Sequence, residues 1–588
     1  MAYRPPVKDL VFSLMTAAGL DALLPRFEGL DSDVLTAVLD AAGELAAGVL
    51  EPLNRPGDVQ GSRLENGRVV SPDGFPAAYK AFAQGGWNSL AADPAHGGQG
   101  LPKALELAVF EMINAANMAF ALCPTLTQGA IEALARHGSE RQKALYLTRL
   151  ISGEWTGTMH LTEPQAGSDL SQIRTEARPD GPNGEGAGWL IHGQKIFITW
   201  GDQDFTDNIL HLVLARTPDA PEGVRGLSLF LAPSRMVADD GTLGEANTLH
   251  AASLEHKLGI HASPTCVMIH EGARAELVGE LNQGIVHMFT MMNAARVAVG
   301  MQGVGVAEGA YQRALDYATE RKQGRAPGSD GPAPIVEHPD VRRMLVTMKA
   351  KTEAARAICL AAGVAADLAR LAETEEERTA AGLRSELLTP IAKAWSTDVG
   401  VEVASLGVQV HGGMGFIEET GAAQFYRDAR IAPIYEGTNG IQAMDLVGRK
   451  LSMAGGAATT ALLAEMAALP AQLEAVPATA ALAAPLTAAV KAAAKASVWL
   501  AERKSNPDAL AGADAYLRLM GDVLGGHMLA KSALAAARRL DAGDPDAAWL
   551  TGKIALARFY AEHILPAAPA HAAAATAGAE ALMAVGLE

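Results

Sequence analysis

Two changes of residue pattern constrain the fold of this chain more than any single motif. Up to about residue 154, apolar residues recur with helical periodicity. From about residue 155 to 280, short segments rich in Val, Ile, Thr and Phe alternate with Gly, Pro and Asp turns, which is typical of a small antiparallel β domain. Helical periodicity returns at Gly284. The chain is therefore predicted to be mainly α, with one β domain in its middle.

Length and periodicity also suggest boundaries. A chain of 588 residues has room for about three or four domain-sized units. We predict a helical N-terminal domain (1–154), a middle β domain (155–282), a helical C-terminal domain (283–455) and an Ala-rich extension of about four helices (456–588). Helices are expected at 31–50, 104–122, 127–150, 285–320, 339–371, 385–409 and 441–451, and strands at 189–199, 210–215 and 227–231.

Composition narrows the classes of function. The formal charge is −18 and no run of Lys and Arg is longer than a pair, so nucleic acid and anionic membranes are not expected as partners. Cys123, Cys266 and Cys359 lack CxxC spacing and indicate core residues rather than a disulfide framework or a metal site. Because no apolar signal region starts the chain and no uninterrupted apolar run reaches membrane-spanning length, we expect a soluble cytoplasmic protein.

The stretch from Ile431 to Gln442 is the strongest candidate for chemistry. Glu436 lies between an apolar approach and a Gly-Thr-Asn-Gly turn, after which a helix is predicted. A carboxylate in apolar surroundings has a raised pKa, which suits a general base. An acidic residue near a helix N-terminus is also favoured by the helix dipole alone. Glu436 thus has both a catalytic and a purely structural interpretation.

Two further stretches combine polar residues with Gly-containing turns. The loop at 159–169 places the Thr162 and Ser168 hydroxyls around a Pro-x-x-Gly turn, which either exposes backbone N–H groups to a ligand or forms an ordinary surface turn. In the stretch 409–416, a Gly-Gly turn either approaches a phosphate or ends a helix. Glycines at 300, 303, 305 and 309 miss the dinucleotide-binding spacing and follow no predicted strand, so they indicate close helix packing.

Six motifs, in their order and spacing, resemble the acyl-CoA dehydrogenase family. They are Thr-Glu-Pro-x-Ala-Gly-Ser-Asp at 162–169, Lys-Ile-Phe-Ile-Thr at 195–199, Glu-Arg-Lys at 320–322, Gln-x-x-Gly-Gly at 409–413, Tyr-Arg-Asp-Ala-Arg-Ile at 426–431 and Tyr-Glu-Gly-Thr at 435–438. The Tyr-Arg-Pro-Pro-Val-Lys-Asp start at 3–9 and the helical tail resemble a subgroup of longer chains. That subgroup includes enzymes acting on 3-methylmercaptopropionyl-CoA in dimethylsulfoniopropionate breakdown.

The resemblance implies a fold, a cofactor and site residues. Helical N-terminal and C-terminal domains would flank a β-barrel-like middle domain, with FAD held between them. Thr162 and Thr199 would contact the isoalloxazine ring, and Phe197 would cover one face of it. Ser168 would lie near the ring and the pantetheine arm of the substrate, and Thr438 would meet the cofactor just after the base. The residues implied for the FAD pyrophosphate and adenosine, partly across a subunit interface, are Arg321, Gln409, Gly412 and Gly413.

The resemblance also implies removal of the α and β hydrogens of an acyl-CoA thioester. Glu436 would take the α-proton and flavin N5 would accept the β hydrogen as hydride. The Glu436 N–H and a flavin ribityl hydroxyl would stabilise the thioester oxygen. Some relatives carry the base on the central helix, where this chain has Ala295. Arg296 on that helix would lie near the acyl group, or would form only a helix-surface salt bridge.

Three positions depart from the family pattern. Phe197 stands where Trp is usual, which keeps an aromatic ring but removes an indole donor. The residues after Arg321 lack the usual Phe-Gly continuation, and this departure adjoins the contact implied for this arginine. Gly440 replaces a usual Glu or Gln and removes a polar group near the cofactor.

The expected substrate is 3-methylmercaptopropionyl-CoA, converted to methylthioacryloyl-CoA. Electron-transfer flavoprotein is the expected electron acceptor and a homodimer the expected assembly. The alternatives are a dehydrogenase of ordinary short, medium or long fatty acyl-CoA, an acyl-CoA oxidase, and a flavin-containing DNA-binding relative, which the acidic charge disfavours. One methylene in an acyl pocket is worth only about 1–3 kcal/mol, so sequence pattern does not resolve the chain length of the substrate.

Overall fold

The computed structural model describes residues 3–181, 188–504 and 506–587. Contacts divide the chain into two compact units. We call residues up to 43, 102–115 and those from 296 onward the helical unit, and residues 44–101 and 116–295 the sheet unit. The four domain boundaries inferred from residue pattern are a different kind of division and stay a prediction.

The strands of the described residues all lie in the sheet unit. They are β1 (Arg63–Glu65), β2 (Arg68–Val70), β3 (Thr156–His160), β4 (Glu176–Pro179), β5 (Trp189–Thr199), β6 (Ile209–Arg216), β7 (Leu227–Pro233), β8 (Arg235–Val237), β9 (Leu243–Ala246), β10 (Leu249–Leu254) and β11 (Thr265–Val278). The three predicted strands are confirmed, and β5 has the predicted bounds.

Five strands close into a ring. β11 pairs with β5 and β7, β5 pairs with β4, and β6 pairs with both β4 and β7. Small residues at alternate positions, such as Ala273 and Ala275, share a buried core with the Phe230 ring. In a barrel this narrow, small side chains leave the space that one large ring fills. The β-barrel-like middle domain is confirmed.

The sheet is mixed rather than purely antiparallel. β3 runs parallel to β6, and β4 meets β6 in parallel at the pair Glu176 and Arg216. The antiparallel prediction is wrong here because residue alternation sets the face of a side chain but not the direction of the neighbouring strand. β3 is buried along its whole length, as parallel strands commonly are.

The helices confirm the mainly α fold class. Those of the helical unit are Val7–Phe12, Pro339–Leu371, Glu375–His411, Ala422–Ala429, Asn439–Gly448, Ala457–Glu474, Ala483–Arg503, Pro507–Ala511, Ala513–Asp541, Ala547–His563, Ala568–Ala575 and Glu580–Met583. Ser32–Leu45, Lys103–His137 and Gly284–Glu320 carry residues of both units, and Glu51–Gln60, Phe75–Gln84, Glu140–Gln142 and Thr148–Ile151 belong to the sheet unit.

The helical segment Lys103–His137 is interrupted at Asn117, whose backbone is non-helical with a φ of −160° and a ψ of 89°, and not at the predicted place. Lys103–His137 continues through residues 122–127, where two helices were predicted to separate around Pro124. Pro124 removes only one backbone hydrogen bond, the one to the carbonyl four residues earlier. The Thr125 and Thr127 hydroxyls add bonds to the carbonyls of Ala121 and Cys123, at 2.8 and 3.1 Å. This helix is long and apolar enough to span a membrane, but its most apolar stretch is completely buried inside the protein.

The predicted close packing through glycines is confirmed in the helical unit. A Cβ at Gly300 would lie 2.4 Å from Ala392 O, and one at Gly303 would lie 2.5 Å from Ser396 O. Helix Gly284–Glu320 therefore approaches the middle of helix Glu375–His411 more closely than larger residues would allow.

The long helix Glu375–His411 begins ten residues before its predicted start at 385. The Thr374 hydroxyl accepts a hydrogen bond from Glu377 N at 3.2 Å, and three glutamates occupy the first turn. A capping hydroxyl and acidic residues both favour a helix N-terminus. The prediction missed this start because few apolar residues mark the first turns of the helix.

The C-terminal extension packs directly onto this long helix. Trp395 Nε1 donates to Asp522 Oδ1 at 3.1 Å, and a Cβ at Gly521 would lie 2.2 Å from the Trp395 ring. The extension therefore shares a core with the segment that also approaches Gly300. All three cysteines are buried, which confirms them as core residues.

Candidate active site

A tightly bonded loop between two helices positions Glu436. The Thr438 hydroxyl caps the second helix by accepting from Ile441 N at 3.1 Å, and Asn439 N donates to Pro433 O at 2.9 Å. Glu436 itself has a φ of 55°. This left-handed conformation costs a non-glycine residue about 1–3 kcal/mol and persists where the surroundings impose it. The loop thus holds the carboxylate in a defined place.

Asn439 fastens the loop to helix Glu375–His411. Its Nδ2 donates to Ala394 O at 3.0 Å, Thr397 Oγ1 at 3.0 Å and Asp398 Oδ1 at 2.8 Å. Its Oδ1 accepts from Lys393 Nζ at 2.9 Å. One amide therefore ties four residues within two successive turns of that helix to the start of the next helix.

Two cations act on the Glu436 carboxylate, which is half-buried. Burial raises the pKa of Glu436, and the charges of Arg296 and Lys393 oppose that rise. Both cations are buried, which lowers the pKa of Arg296 and brings that of Lys393 to about 7. A carboxylate with a raised pKa is suited to accept a proton near neutral pH. The local sequence suggested apolar surroundings, whereas the structure places two cations near the carboxylate. Burial is still the larger effect, so the pKa of Glu436 is raised.

Gly437 allows the loop to pass very close to two polar side chains. Its φ is 82°, and a Cβ there would lie 2.6 Å from Gln442 Nε2 and 3.6 Å from Arg296 Nη2. Gln442 is fully buried, and neither its Nε2 nor its Oε1 has a hydrogen-bond partner among the described residues. On the other side of Glu436, the Tyr435 hydroxyl donates to Gln302 Oε1.

The sheet unit brings together three of the residues implied for the flavin ring. Thr162 O accepts from Ile196 N at 2.9 Å, and Thr199 O accepts from the Thr158 hydroxyl at 2.8 Å. Phe197 lies between these two bonds, with a φ of 59° and 58% of its surface exposed. A large ring held in a strained conformation and left exposed, beside two part-exposed threonines, fits a flat aromatic ligand such as a flavin.

Ser168 lies in the same unit but farther along the loop. Glu163 and Ala166 exchange backbone hydrogen bonds at 3.1 and 2.9 Å, which closes a tight turn, and Ser168 follows it on the exposed surface. Its backbone neighbour Asp169 accepts from Ser171 N at 2.9 Å. The hydroxyl is therefore available to a ligand, although the turn separates it from Thr162.

The remaining predicted cofactor residues lie in the helical unit, away from Glu436. Gln409, Gly412 and Gly413 lie exposed where helix Glu375–His411 ends, and Gly412 has a φ of 59° with open space around it. At 1.5 Å per residue, about 27 Å of helix separate this turn from Lys393. Arg321 is exposed and donates to Gln323 Oε1 at 3.1 Å. The structure groups Thr438 and Arg296 with Glu436, but not these four residues.

The sequence reading missed the polar groups that support the base loop. Lys393 and Gln302 lie outside every motif, and Asn439 and Gln442 lie in the candidate stretch 431–442 without an assigned role, yet all four contact this loop or act on its carboxylate. One signal was present. Lys393 is the only charged residue between positions 387 and 395, a stretch that is otherwise nearly all apolar and that the structure buries.

Family models cover most of the chain. The N-terminal domain of acyl-CoA dehydrogenases matches residues 37–154, the middle domain 158–272 and the C-terminal domain 282–451. A model described as acetyl-CoA dehydrogenase C-terminal like matches residues 458–586.

Full-length relatives agree with these matches. The chain is 49% identical to a 3-methylmercaptopropionyl-CoA dehydrogenase of Ruegeria pomeroyi, over 96% of both proteins. It is 33% identical to a butyryl-CoA dehydrogenase of Syntrophomonas wolfei, over 96% of this chain and 95% of that protein. The crystal structure of an acyl-CoA dehydrogenase complexed with FAD from Bacillus anthracis has the same fold, with a TM-score of 0.73 at 23% identity over 95% of this chain and 90% of that chain. The chain described here belongs to the acyl-CoA dehydrogenase family.

Proposed function

We propose that this protein introduces an α,β double bond into a short acyl-CoA thioester, with Glu436 as the base, and that 3-methylmercaptopropionyl-CoA is its substrate. The observation that carries the proposal is the state of Glu436. Its carboxylate is half-buried, has a raised pKa and accepts no hydrogen bond from the described residues, while two buried cations act on it. Such a group is ready to accept a proton.

Members of this family are FAD-dependent oxidoreductases, and the donor set of this chain fits that cofactor. When bound, FAD supplies the acceptor for the hydrogen that leaves the β carbon. In the sheet unit, Thr162, Phe197 and Thr199 would bind the ring system, with Ser168 beside it. In the helical unit, we assign Thr438 to the same cofactor. The residues assigned to its diphosphate and adenosine are Arg321, Gln409, Gly412 and Gly413.

Residues of the helical unit are our candidates for removing the α-proton, stabilising the thioester oxygen and orienting the acyl group. Glu436 removes the α-proton, which is only weakly acidic until the thioester oxygen is stabilised. The Glu436 N–H is our candidate donor to that oxygen. Arg296, buried beside the loop, is our candidate for orienting the acyl group.

The identity of the acyl group rests on similarity. The relative that matches at 49% identity is named for the methylmercaptopropionyl thioester, whereas the relative at 33% is named for butyryl-CoA. The first match therefore favours the sulfur-containing substrate. We further propose electron-transfer flavoprotein as the acceptor, a homodimer as the assembly and the cytoplasm as the location.

The decisive experiment replaces the base. Glu436→Gln should retain yellow FAD and bind acyl-CoA, but its flavin should bleach about 10³-fold more slowly under anaerobic conditions, because general base catalysis contributes roughly 10²–10⁴-fold. The matched control is Glu419→Gln, which removes an exposed carboxylate and should have no effect. Substantial turnover of folded Glu436→Gln would overturn the assignment. A panel with 3-methylmercaptopropionyl-CoA, butyryl-CoA and longer thioesters tests the substrate, and faster bleaching by butyryl-CoA would contradict that part.

A further inference from the structure

Lys393 is a completely buried lysine with an unusual set of neighbours. It lies in the middle of helix Glu375–His411 with 0% of its surface exposed. A charged ammonium inside a protein is costly unless a carboxylate pairs with it. Among the described residues, however, the acceptor of its Nζ hydrogen bond is the neutral Asn439 Oδ1, at 2.9 Å. The lysine therefore lacks the direct partner that buried lysines elsewhere in this unit have.

Lys450 shows the ordinary arrangement. It is also buried, and its Nζ lies 2.6 Å from Glu386 Oε2 in a direct ion pair. Lys393 forms no such ion pair among the described residues. The charges that act on it are those of Glu436 and Asp398, which favour its protonated form, and that of Arg296, which opposes it.

Asn439 fixes the geometry between this lysine and the base. It bonds to the helix of Lys393 through Ala394, Thr397 and Asp398, and it stands three residues after Glu436. The distance between the ammonium and the base loop is thus set by a rigid amide rather than by two flexible side chains.

We infer that Lys393 is a positioning residue for the base: its buried ammonium stabilises the ionised form of Glu436 from a distance, without bonding to the carboxylate. This inference rests on the proposed role of Glu436. A direct ion pair would occupy the oxygen lone pairs that must receive the substrate proton. A charge held one amide away lowers the cost of ionisation and leaves those oxygens free.

Arg296 acts on Glu436 as well, but it is not equivalent. Arg296 is also attracted by Asp445 and repelled by Arg449. Arginine stays charged at all physiological pH values, whereas a lysine can lose its proton when it is buried. Burial brings the pKa of Lys393 to about 7, within the working range of an enzyme.

The test is the pH dependence of kcat/KM in the full-length holoenzyme. Lys393→Gln keeps an N–H donor for Asn439 but removes the charge. Glu436 must be ionised to act, so kcat/KM falls at low pH, where this carboxylate is protonated; we call this fall the acid limb. Loss of a nearby positive charge raises the pKa of Glu436 and therefore moves the acid limb to higher pH. We expect the acid limb of Lys393→Gln to lie about one pH unit higher. At pH values below the limb, kcat/KM of the variant should be about tenfold lower than that of the unmodified enzyme, and above the limb the two values should converge. Lys393→Arg, which keeps the charge, should retain the limb of the unmodified enzyme.

The controls separate this effect from a structural one. Lys450→Gln removes a buried lysine elsewhere, so it should lower stability without moving the limb. If Lys393→Gln does not fold, Lys393→Met removes the same charge and carries the same prediction. An unchanged limb, with turnover lowered equally at every pH, would overturn the inference. Failure of the base assignment has a different signature, because Glu436→Gln would then turn over substrate whatever Lys393 does.

Discussion

Two glutamates in loops, the buried Glu163 of the sheet unit and the half-buried Glu436 of the helical unit, have opposite surroundings. Glu163 of the sheet unit accepts from Lys195 Nζ at 2.8 Å and from the Thr175 hydroxyl at 2.6 Å. Burial alone would raise the pKa of Glu163, but these partners lower it to about 2. Glu436 of the helical unit accepts no hydrogen bond from the described residues, and burial raises its pKa.

The difference in hydrogen-bond partners separates a structural glutamate from a candidate catalytic one. A carboxylate whose oxygens are already occupied stabilises the fold but has nothing to offer a substrate proton. A carboxylate that is half-buried, accepts no hydrogen bond and is balanced only by charges at a distance is destabilising in itself and indicates a functional role. Both glutamates belong to recognised family motifs, so the motifs alone do not separate the structural residue from the catalytic one.

The largest expected effect on stability comes from breaking the Glu163–Lys195 pair. Glu163→Gln leaves the ammonium of Lys195 completely buried without its charge partner, so the free energy of unfolding should fall by about 3 kcal/mol at neutral pH. Chemical denaturation measures this change. The control is Glu176→Gln, which removes an exposed pair with Arg178 and should change the free energy by less than about 1 kcal/mol. Equal effects of the two substitutions would contradict the comparison.

The same pair predicts a dependence on pH. The pKa of Glu163 is about 2 in the folded protein against an ordinary value of 4.5. A carboxyl whose folded pKa is depressed contributes stability that is present above pH 4.5 and is lost as the pH falls towards 2. The difference in unfolding free energy between the unmodified protein and Glu163→Gln should therefore shrink across this interval. A difference that stays constant from neutral pH to pH 3 would be inconsistent with the ion pair.

A smaller effect, on catalysis rather than stability, is expected at Gly437. In Gly437→Ala the new Cβ would lie 2.6 Å from Gln442 Nε2, in a backbone conformation that disfavours alanine. Because Gln442 is fully buried, we expect the strained loop to shift with it, and a displacement of about 1 Å near reacting atoms costs roughly 10²-fold in rate. Gly440→Ala is the matched control, because its Cβ would meet only Thr438 Oγ1, at 3.8 Å. Flavin content should stay unchanged in both variants, and equal kcat/KM for the two would refute the role of the close approach.

The sequence predicted the elements well where one local pattern decides them. The bounds of β5 follow from its β-branched residues and flanking turns, and Glu436 follows from a contiguous motif. Pairing direction was not predictable in the same way, because the parallel partner of β3 lies about fifty residues away and leaves no mark on β3 itself. The break predicted near Pro124 lies instead at Asn117, whose backbone is non-helical.

The polar residues that surround the Glu436 loop were not predicted either, because most of their contacts join residues that are far apart in the sequence. Lys393 and Asn439 are 46 residues apart in the sequence. Only the fold shows that the Lys393 ammonium donates a hydrogen bond to the Asn439 side-chain amide. Gln302 is an ordinary helix residue in the sequence and Gln442 only ends the candidate stretch 431–442, and the importance of both comes from burial beside the loop. Single-sequence motifs therefore identify the group that reacts, whereas the groups that tune it appear only in three dimensions.

The smallest expected effect tests the sheet unit's own strained residue. Phe197 has a left-handed φ like Glu436, yet its ring is 58% exposed, so Phe197→Ala should leave the unfolding temperature of the flavin-free protein nearly unchanged. If the ring covers the flavin, the Kd for FAD should rise about two- to tenfold, since a stacked aromatic contact is worth roughly 0.5–1.5 kcal/mol. Phe197→Trp should keep the affinity. Val59→Ala, which trims another exposed apolar residue of this unit, should alter neither quantity. An unchanged Kd in Phe197→Ala would mean that the exposed ring serves something other than the cofactor.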